Sequence, residues 1–364
     1  MDKVFASRRR ALQALMKHAK LDRLVVTHPA DWYYLTGFTG DSGALVISGE
    51  SGKAGASLVT DGRFTSQAAD ETSGVRIVPQ VGALYPATGK FLGFGRGRSV
   101  GFDPTQLTVA QHTQLHKAAG KRITWRAVPG LVAGLRMRKD TAELAVMRKA
   151  GALADKVMAT AARMLKPGIR EFEVAAEIEY QMKKGGASGT AFETIVAFGE
   201  RSALPHARAT GKRLRKNELV VLDLGAILGH YCSDITRTYY VGRASTRVRG
   251  WYKGVLEAQG AAIAAVRDGV SCGEVDAAAR NVLAGYRLDR YFVHSTGHGL
   301  GLEVHEDPRV ARGQSKLLEP GNVITIEPGV YFPGVGGIRI EDDVAVHENR
   351  TEVLTRVSRD FTEI

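Results

Sequence analysis

Cysteine is nearly absent: Cys232 and Cys272 are the only two in 364 residues. Two thiols alone supply neither a disulfide framework nor a thiolate metal motif. Cys232 sits in a stretch that reads as a buried strand, so a core thiol is expected there. Such low cysteine use fits a reducing compartment, and a cytoplasmic location is expected. Long apolar runs are also missing. No 18 consecutive apolar residues occur, and the opening MDKVFASRRRALQALMKH contains no extended apolar core, which argues against both a membrane span and a secretory leader. Charge is skewed but not concentrated. Lys and Arg number 50 against 38 Asp and Glu, a net charge of +12, yet the basic residues are scattered and no long basic run is interleaved with aromatics. A solvated basic face is therefore expected rather than a nucleic-acid surface.

The length suggests two domains, each able to bury its own core. The expected division is 1–130 and 135–364, with the boundary near VPGLVAGLRMRKD. In the first part, residues 5 to 20 carry Leu12, Leu15 and Met16 on one helical face. LDRLVVTH, GALVIS, VRIVPQ and SVGFD read as strands, and YYLTGFTGD as a segment with two glycine turns. SLVTDGRFTSQAAD reads as a strand, a turn at Asp61-Gly62 and a helix from about Thr65, and TVAQHTQLHKAA as a helix with Thr108 as N-cap. Strands alternating with helices describe a compact α/β domain, and no phosphate-cradling loop is visible in it. In the second part a long helix capped at Asp140 stops at Lys166-Pro167-Gly168, and another runs from about 170 to 184. Strands follow at 194–241. Helices at about 247–267 and 273–285 then precede strands at 323–355. Helix pair then strands thus occurs twice, which hints at a pseudo-symmetric domain.

Four carboxylates stand where apolar strands are expected: Asp223 in VVLDLGA, Asp234 in CSDITRT, Glu327 in TIEPG and Glu341 in IRIEDD. A charge inside an apolar strand is costly unless something compensates it. A turn at Leu228-Gly229-His230 would fold Asp223 and Asp234 together as a hairpin, and the Pro- and Gly-rich segment after Glu327 would do the same for Glu327 and Glu341. His298, flanked by Gly297 and Gly299, is the fifth candidate. Four carboxylates and one imidazole suit hard divalent ions. They also carry more negative charge than one such ion neutralises. Two ions sharing bridging carboxylates and a nucleophilic water resolve that excess, so hydrolysis is the expected chemistry. His206, His294 and His305 are expected to bind the substrate carbonyl, the developing oxyanion or the leaving nitrogen. Arg339 lies two residues before Glu341 and can hold a metal carboxylate in place, and Tyr331 is a further hydrogen-bonding candidate.

Taken in order, LDLG, SDITRT, TGHGLG, VHE, IEPG and IEDD resemble the pita-bread metallopeptidases, the family of methionine aminopeptidase, aminopeptidase P and prolidase. The resemblance covers essentially the whole chain. It implies an α/β (α+β) protein, with a small N-terminal α/β creatinase-like domain before a pseudo-symmetric pita-bread catalytic domain. It also implies two divalent ions per chain, manganese first, with cobalt or zinc as alternatives. By the motifs, Asp223 would bind one ion, His298 and Glu327 the other, and Asp234 and Glu341 both. Glu327 would also accept a proton from the bridging water. YLTGFTG and TDGRFTSQA resemble the N-terminal domain of aminopeptidase P, and ALPHA and IEDDV the proline-specific branch. The implied activity is Xaa-Pro aminopeptidase, on peptides with proline at position two. The alternative is an Xaa-Pro dipeptidase (prolidase), and a remote one is a non-catalytic nucleic-acid or protein-binding module on the same fold. A homodimer is implied; from the sequence itself no membrane partner is expected, and nucleic acid is a disfavoured one.

Overall fold

Apolar runs near the N-terminus do become a sheet. The computed structural model describes residues 2–49, 55–94 and 98–364, in two compact units, Met1–Arg136 and Met137–Ile364. In the first unit the elements are α1 (Asp2–His18), β1 (Arg23–Val26), α2 (Pro29–Thr36), β2 (Ala44–Ser48), β3 (Ala56–Thr60), α3 (Thr65–Glu71), β4 (Arg76–Pro79), α4 (Leu84–Phe94), β5 (Ser99–Phe102), α5 (Val109–Ala119), β6 (Thr124–Ala127) and α6 (Leu131–Arg136). The six strands form one mixed sheet in the order β4-β3-β2-β1-β5-β6. Thr108 caps α5 in a reciprocal capping box with Gln111.

Three helices of this unit, α2, α4 and the short α6, were not anticipated. The segment read as glycine turns is partly α2, which starts with Pro29 in its first turn, where the missing N–H costs nothing, and ends at Gly37 with φ of 81°. In α4, Pro86 and Gly89 mask the helical pattern. Gly89 is there for contact: a Cβ on it would lie 2.5 Å from the Leu115 carbonyl oxygen of α5.

The second unit repeats one plan. Helices α7 (Thr141–Met164) and α8 (Glu171–Lys184) precede β7 (Gly189–Thr190), β8 (Ile195–Phe198), β9 (Glu218–Leu224), β10 (Ala226–Leu228), β11 (Tyr231–Cys232) and β12 (Ile235–Val241). Helices α9 (Thr246–Ala265) and α10 (Cys272–Gly285) precede β13 (Gly297–Gly299), β14 (Glu306–Val310), β15 (Val323–Ile326), β16 (Gly329–Phe332), β17 (Gly336–Arg339), β18 (Asp342–Val346), β19 (Thr351–Val353) and β20 (Thr362–Glu363). Asp140 caps α7 through Ala142 and Glu143, and Ser271 caps α10 through Glu274. Each helix pair buries its apolar stripe on its own sheet. Val157, Met158, Val174 and Ile178 pack with Val220, Leu222 and Ile235; Val255, Val275, Ala279 and Leu283 pack with Ile324, Ile326 and Val344. Both cysteines are buried and neither forms a disulfide; Cys232 lies in a third cluster with Leu144, Met147, Leu300 and Val323.

In each half a long antiparallel hairpin is interrupted by a shorter one. β9 pairs with β12 and β15 with β18, while the chain between them forms β10–β11 and β16–β17. The first inner hairpin turns on Gly229 and His230, both with positive φ (54° and 71°), the geometry that matches the twist of the flanking strands. The interruption places Asp234 just before β12 rather than within a strand, a correction to the simple hairpin expected. Asp223 faces Thr236 across the ladder.

Candidate metal centre

Where the outer hairpins break off, the carboxylates converge. Oxygens of Asp234 and Glu341 and a ring nitrogen of His298 lie within 4.8 Å of one another. His298 Nε2 is 3.8 Å from Asp234 Oδ2 and 3.5 Å from Glu327 Oε1. The β15–β18 ladder ends with Ile326 paired to Asp342, so Glu327 directly follows, and Glu341 directly precedes, its last pair. The two halves are stitched here: Glu341 N donates to the Thr236 carbonyl at 3.1 Å, and Arg339 N donates to Thr238 Oγ1 at 3.0 Å.

Asp223 joins the group through Arg339. Arg339 Nη2 donates to Asp223 Oδ2 at 2.6 Å, Nη1 to Tyr331 Oη at 2.7 Å and to the Pro205 carbonyl at 3.2 Å, and Nε to Thr236 Oγ1 at 3.1 Å. Thr236 Oγ1 in turn donates to Glu341 Oε2 at 2.5 Å. The guanidinium therefore orients one carboxylate directly and a second through a hydroxyl, which refines the role expected for it.

Electrostatics here are far from ordinary. Burial, and then the neighbouring Glu341, Asp223 and Asp343 charges, push the Asp234 carboxyl well above its usual range. Burial with Glu327 and Asp223 does the same to Glu341. Glu327 is pushed up to about 8, chiefly by burial. Burial holds His294 and His298 down to about 4, so both rings are neutral near pH 7 and their approaches to carboxylates are not ion pairs.

Tautomers follow from the partners. His298 Nδ1 lies 3.0 Å from the Gly299 carbonyl, which can only accept, so Nδ1 carries the proton and the Nε2 lone pair faces Asp234 and Glu327. A lone pair aimed at carboxylate oxygens repels unless a cation or proton lies between them. Asp223 Oδ1 and Asp234 Oδ1 are buried without a hydrogen-bond partner. Unsatisfied buried oxygens of this kind, beside a neutral imidazole, fit divalent cations. His294 Nδ1 likewise donates to the Ser295 carbonyl at 2.8 Å, so its Nε2 accepts from Tyr331 Oη at 2.8 Å.

His305 lies beside the cluster, its ring 4.4 Å from that of His298 at 73°. Burial, with His206, lowers its affinity for a proton. His206 is exposed, on the loop whose Pro205 carbonyl receives Arg339. Residues not singled out from sequence also serve the site. Asp343 Oδ2 accepts from Asp234 N at 3.0 Å, and Thr236 and Thr238 bond across the seam. Arg237 is 2% exposed, and all five of its N–H groups are used: by the carbonyls of Thr236, Glu341, Val357 and Ser358, and by Asp342 Oδ1. The alternation in ITRT was the available signal: Thr236 and Thr238 share one face of β12, and Arg237 takes the other.

A buried cluster of hard-cation ligands, ringed by neutral imidazoles on a pseudo-symmetric α/β unit, defines a metal-dependent hydrolase. Residues 145–348 match the model of metallopeptidase family M24, and residues 8–138 match that of the creatinase/prolidase N-terminal domain. The chain is 37% identical to the Xaa-Pro dipeptidase of Pyrococcus horikoshii, over 95% of this chain and 96% of that one. It superposes on the Xaa-Pro dipeptidase of Bacillus anthracis with a TM-score of 0.94 at 35% identity, covering 99% and 100% of the two chains. The X-Pro aminopeptidase of Thermotoga maritima gives a TM-score of 0.87 at 32% identity, covering 95% and 98%. The chain belongs to metallopeptidase family M24, in its proline-specific, pita-bread branch, and is a metallo-exopeptidase. Divalent metal ions are the cofactor this membership implies. No helix among the described residues is long and apolar enough to cross a membrane.

Proposed function

We propose that the chain hydrolyses the Xaa-Pro bond at the N-terminus of short peptides. The observation that carries this is the convergence of Asp234, Glu341, Glu327 and His298, with Asp223 held by Arg339, in a member of this family. Asp223, Asp234, His298, Glu327 and Glu341 would hold two divalent ions, manganese first among candidates. Such ions supply Lewis acidity and a water made nucleophilic at neutral pH.

The chain's own groups do the rest. Glu327, a carboxylate once metal is bound, would accept the proton of the attacking water. His305, beside His298, and His206 would polarise the scissile carbonyl, stabilise the oxyanion and protonate the leaving proline nitrogen. The scissile bond before proline is a tertiary amide whose nitrogen has no hydrogen, so protonating it needs a placed donor. The Arg339–Tyr331–His294 chain orients that face of the site. A homodimer in the cytoplasm remains the proposed form.

Substrate length separates two readings. The motifs YLTGFTG and TDGRFTSQA support an aminopeptidase, whereas the names of the relatives from Pyrococcus horikoshii and Bacillus anthracis support a dipeptidase. The test is turnover of Gly-Pro, Ala-Pro and Ala-Pro-Ala by protein stripped with chelator and reloaded with manganese, cobalt or zinc. Cleavage of the tripeptide with poor dipeptide turnover assigns an aminopeptidase, and cleavage of dipeptides alone assigns a dipeptidase. Metal-loaded protein that cleaves none of them overturns the proposal.

A further inference from the structure

Just before α7, the Lys139 ammonium is withdrawn from solvent. Its side chain is 1% exposed and its Nζ lies 2.9 Å from Glu306 Oε2, on a side chain 6% exposed. Taking both charges out of water is costly, and a surface pair would have been cheaper. The position of Glu306 suggests what the arrangement is for, because it directly follows His305.

Glu306 closes a loop. It pairs with Gly299 at the join of β13 and β14, so residues 300–305 hang between them, with His298 on one side and His305 at the other end. Within the loop Gly301 N donates to the Glu303 carbonyl at 3.0 Å, and Glu303 N donates to Glu306 Oε1 at 3.2 Å. Cys232 N donates to the Gly301 carbonyl at 2.8 Å. Lys139 is itself anchored, its N donating to the Gly321 carbonyl at 2.7 Å. There is little slack around the pair. A Cβ at Gly301 would lie 2.7 Å from Glu306 Oε2 and 2.8 Å from Lys139 Cε, and one at Gly321 would lie 2.8 Å from the Lys139 carbonyl oxygen.

We propose that Lys139 is a positioning residue, which through Glu306 fixes the 300–305 loop and so the placement of the His305 ring against the substrate. The inference rests on the proposal that His305 faces the substrate. A small misplacement of a catalytic group is enough to cost on the order of 10²-fold in rate.

The test uses metal-loaded protein and an Xaa-Pro peptide. Lys139→Met alone takes the ammonium away from a buried carboxylate and can fail to fold, so the decisive variant is Lys139→Met with Glu306→Gln, which removes both charges together. This double variant is expected to fold and to retain the wild-type metal stoichiometry. Its kcat is expected to fall about 10²-fold, with KM little changed. Placed in a His305→Ala background, the same two substitutions are expected to lower kcat no further, because their route to the reaction is gone. Additive losses in the two backgrounds, or wild-type kcat in the double variant, would overturn the inference while leaving the proposed function standing. Full turnover by His305→Ala alone would remove His305 from the reaction and the inference with it.

Discussion

The two halves of the catalytic unit share a plan and divide the chemistry unevenly. Each offers a helix pair, an outer hairpin and an inner hairpin. The second half supplies His294, His298, His305, Tyr331 and Arg339, whereas the first adds two aspartates and the exposed His206. The carboxylates are not equivalent by register either. Glu327 and Glu341 lie just beyond the last pair of the β15–β18 ladder, Ile326 with Asp342, while Asp223 lies within the β9–β12 ladder and faces Thr236. The hydroxyl in that offset position serves the other half, donating to Glu341. Symmetry of scaffold thus brings the charges together, and departures from it create the distinct roles.

The comparison breaks most severely if one carboxylate from each half is removed. Asp234→Ala and Glu341→Ala are each expected to abolish metal binding and turnover, measured by metal content after dialysis and by peptide cleavage. Full turnover in either variant would defeat the view that both halves are needed at the centre. A smaller loss is expected from Thr236→Val, which removes the hydroxyl linking Arg339 to Glu341. Metal affinity falls about 10–100-fold, as for other groups that orient a ligand. Unchanged affinity by calorimetric titration would show that the seam between the halves does not tune the site.

The mildest probe is pH. In chelated protein Glu327, raised by burial from an ordinary 4.5 to about 8, contributes stability that is full below pH 4.5 and lost as pH rises through 8. His294 and His298, lowered by burial from 6.5 to about 4, contribute stability that is full above pH 6.5 and lost as pH falls through 4. Between pH 6.5 and 8 the carboxylate acts without the imidazoles. The Tm of chelated protein is expected to fall across that window, and metal-loaded protein, whose ligands are already deprotonated, is expected to lack the fall. A steady rise of Tm in the chelated protein would contradict this charge assignment.

Legibility from sequence followed the range of the interactions. Asp223, Asp234, Glu327 and Glu341 stood out because a carboxylate inside an apolar run violates a local rule, and the caps at Thr108 and Asp140 are encoded within four residues. The helix from Leu84 to Phe94 escaped notice because Pro86 and Gly89 obey a packing constraint set by Leu115, 26 positions beyond Gly89. Arg237 and Asp343 escaped for the same reason. Arg237 satisfies carbonyls up to 121 residues away, and Asp343 supports an amide 109 residues earlier. No local pattern announces such partners.

One consequence concerns the order of assembly. Strand β12, which follows Asp234, receives β20 as a parallel neighbour, Tyr239 against Thr362 and Tyr240 against Glu363. The guanidinium beneath the site likewise waits for the carbonyls of Val357 and Ser358. During synthesis, then, the first pair of aspartates emerges more than a hundred residues before the chain that completes its sheet. Closing so long a loop is a late and entropically costly event. A ribosome-bound chain stalled before Val357 therefore leaves the Arg237 guanidinium without two of its carbonyl acceptors.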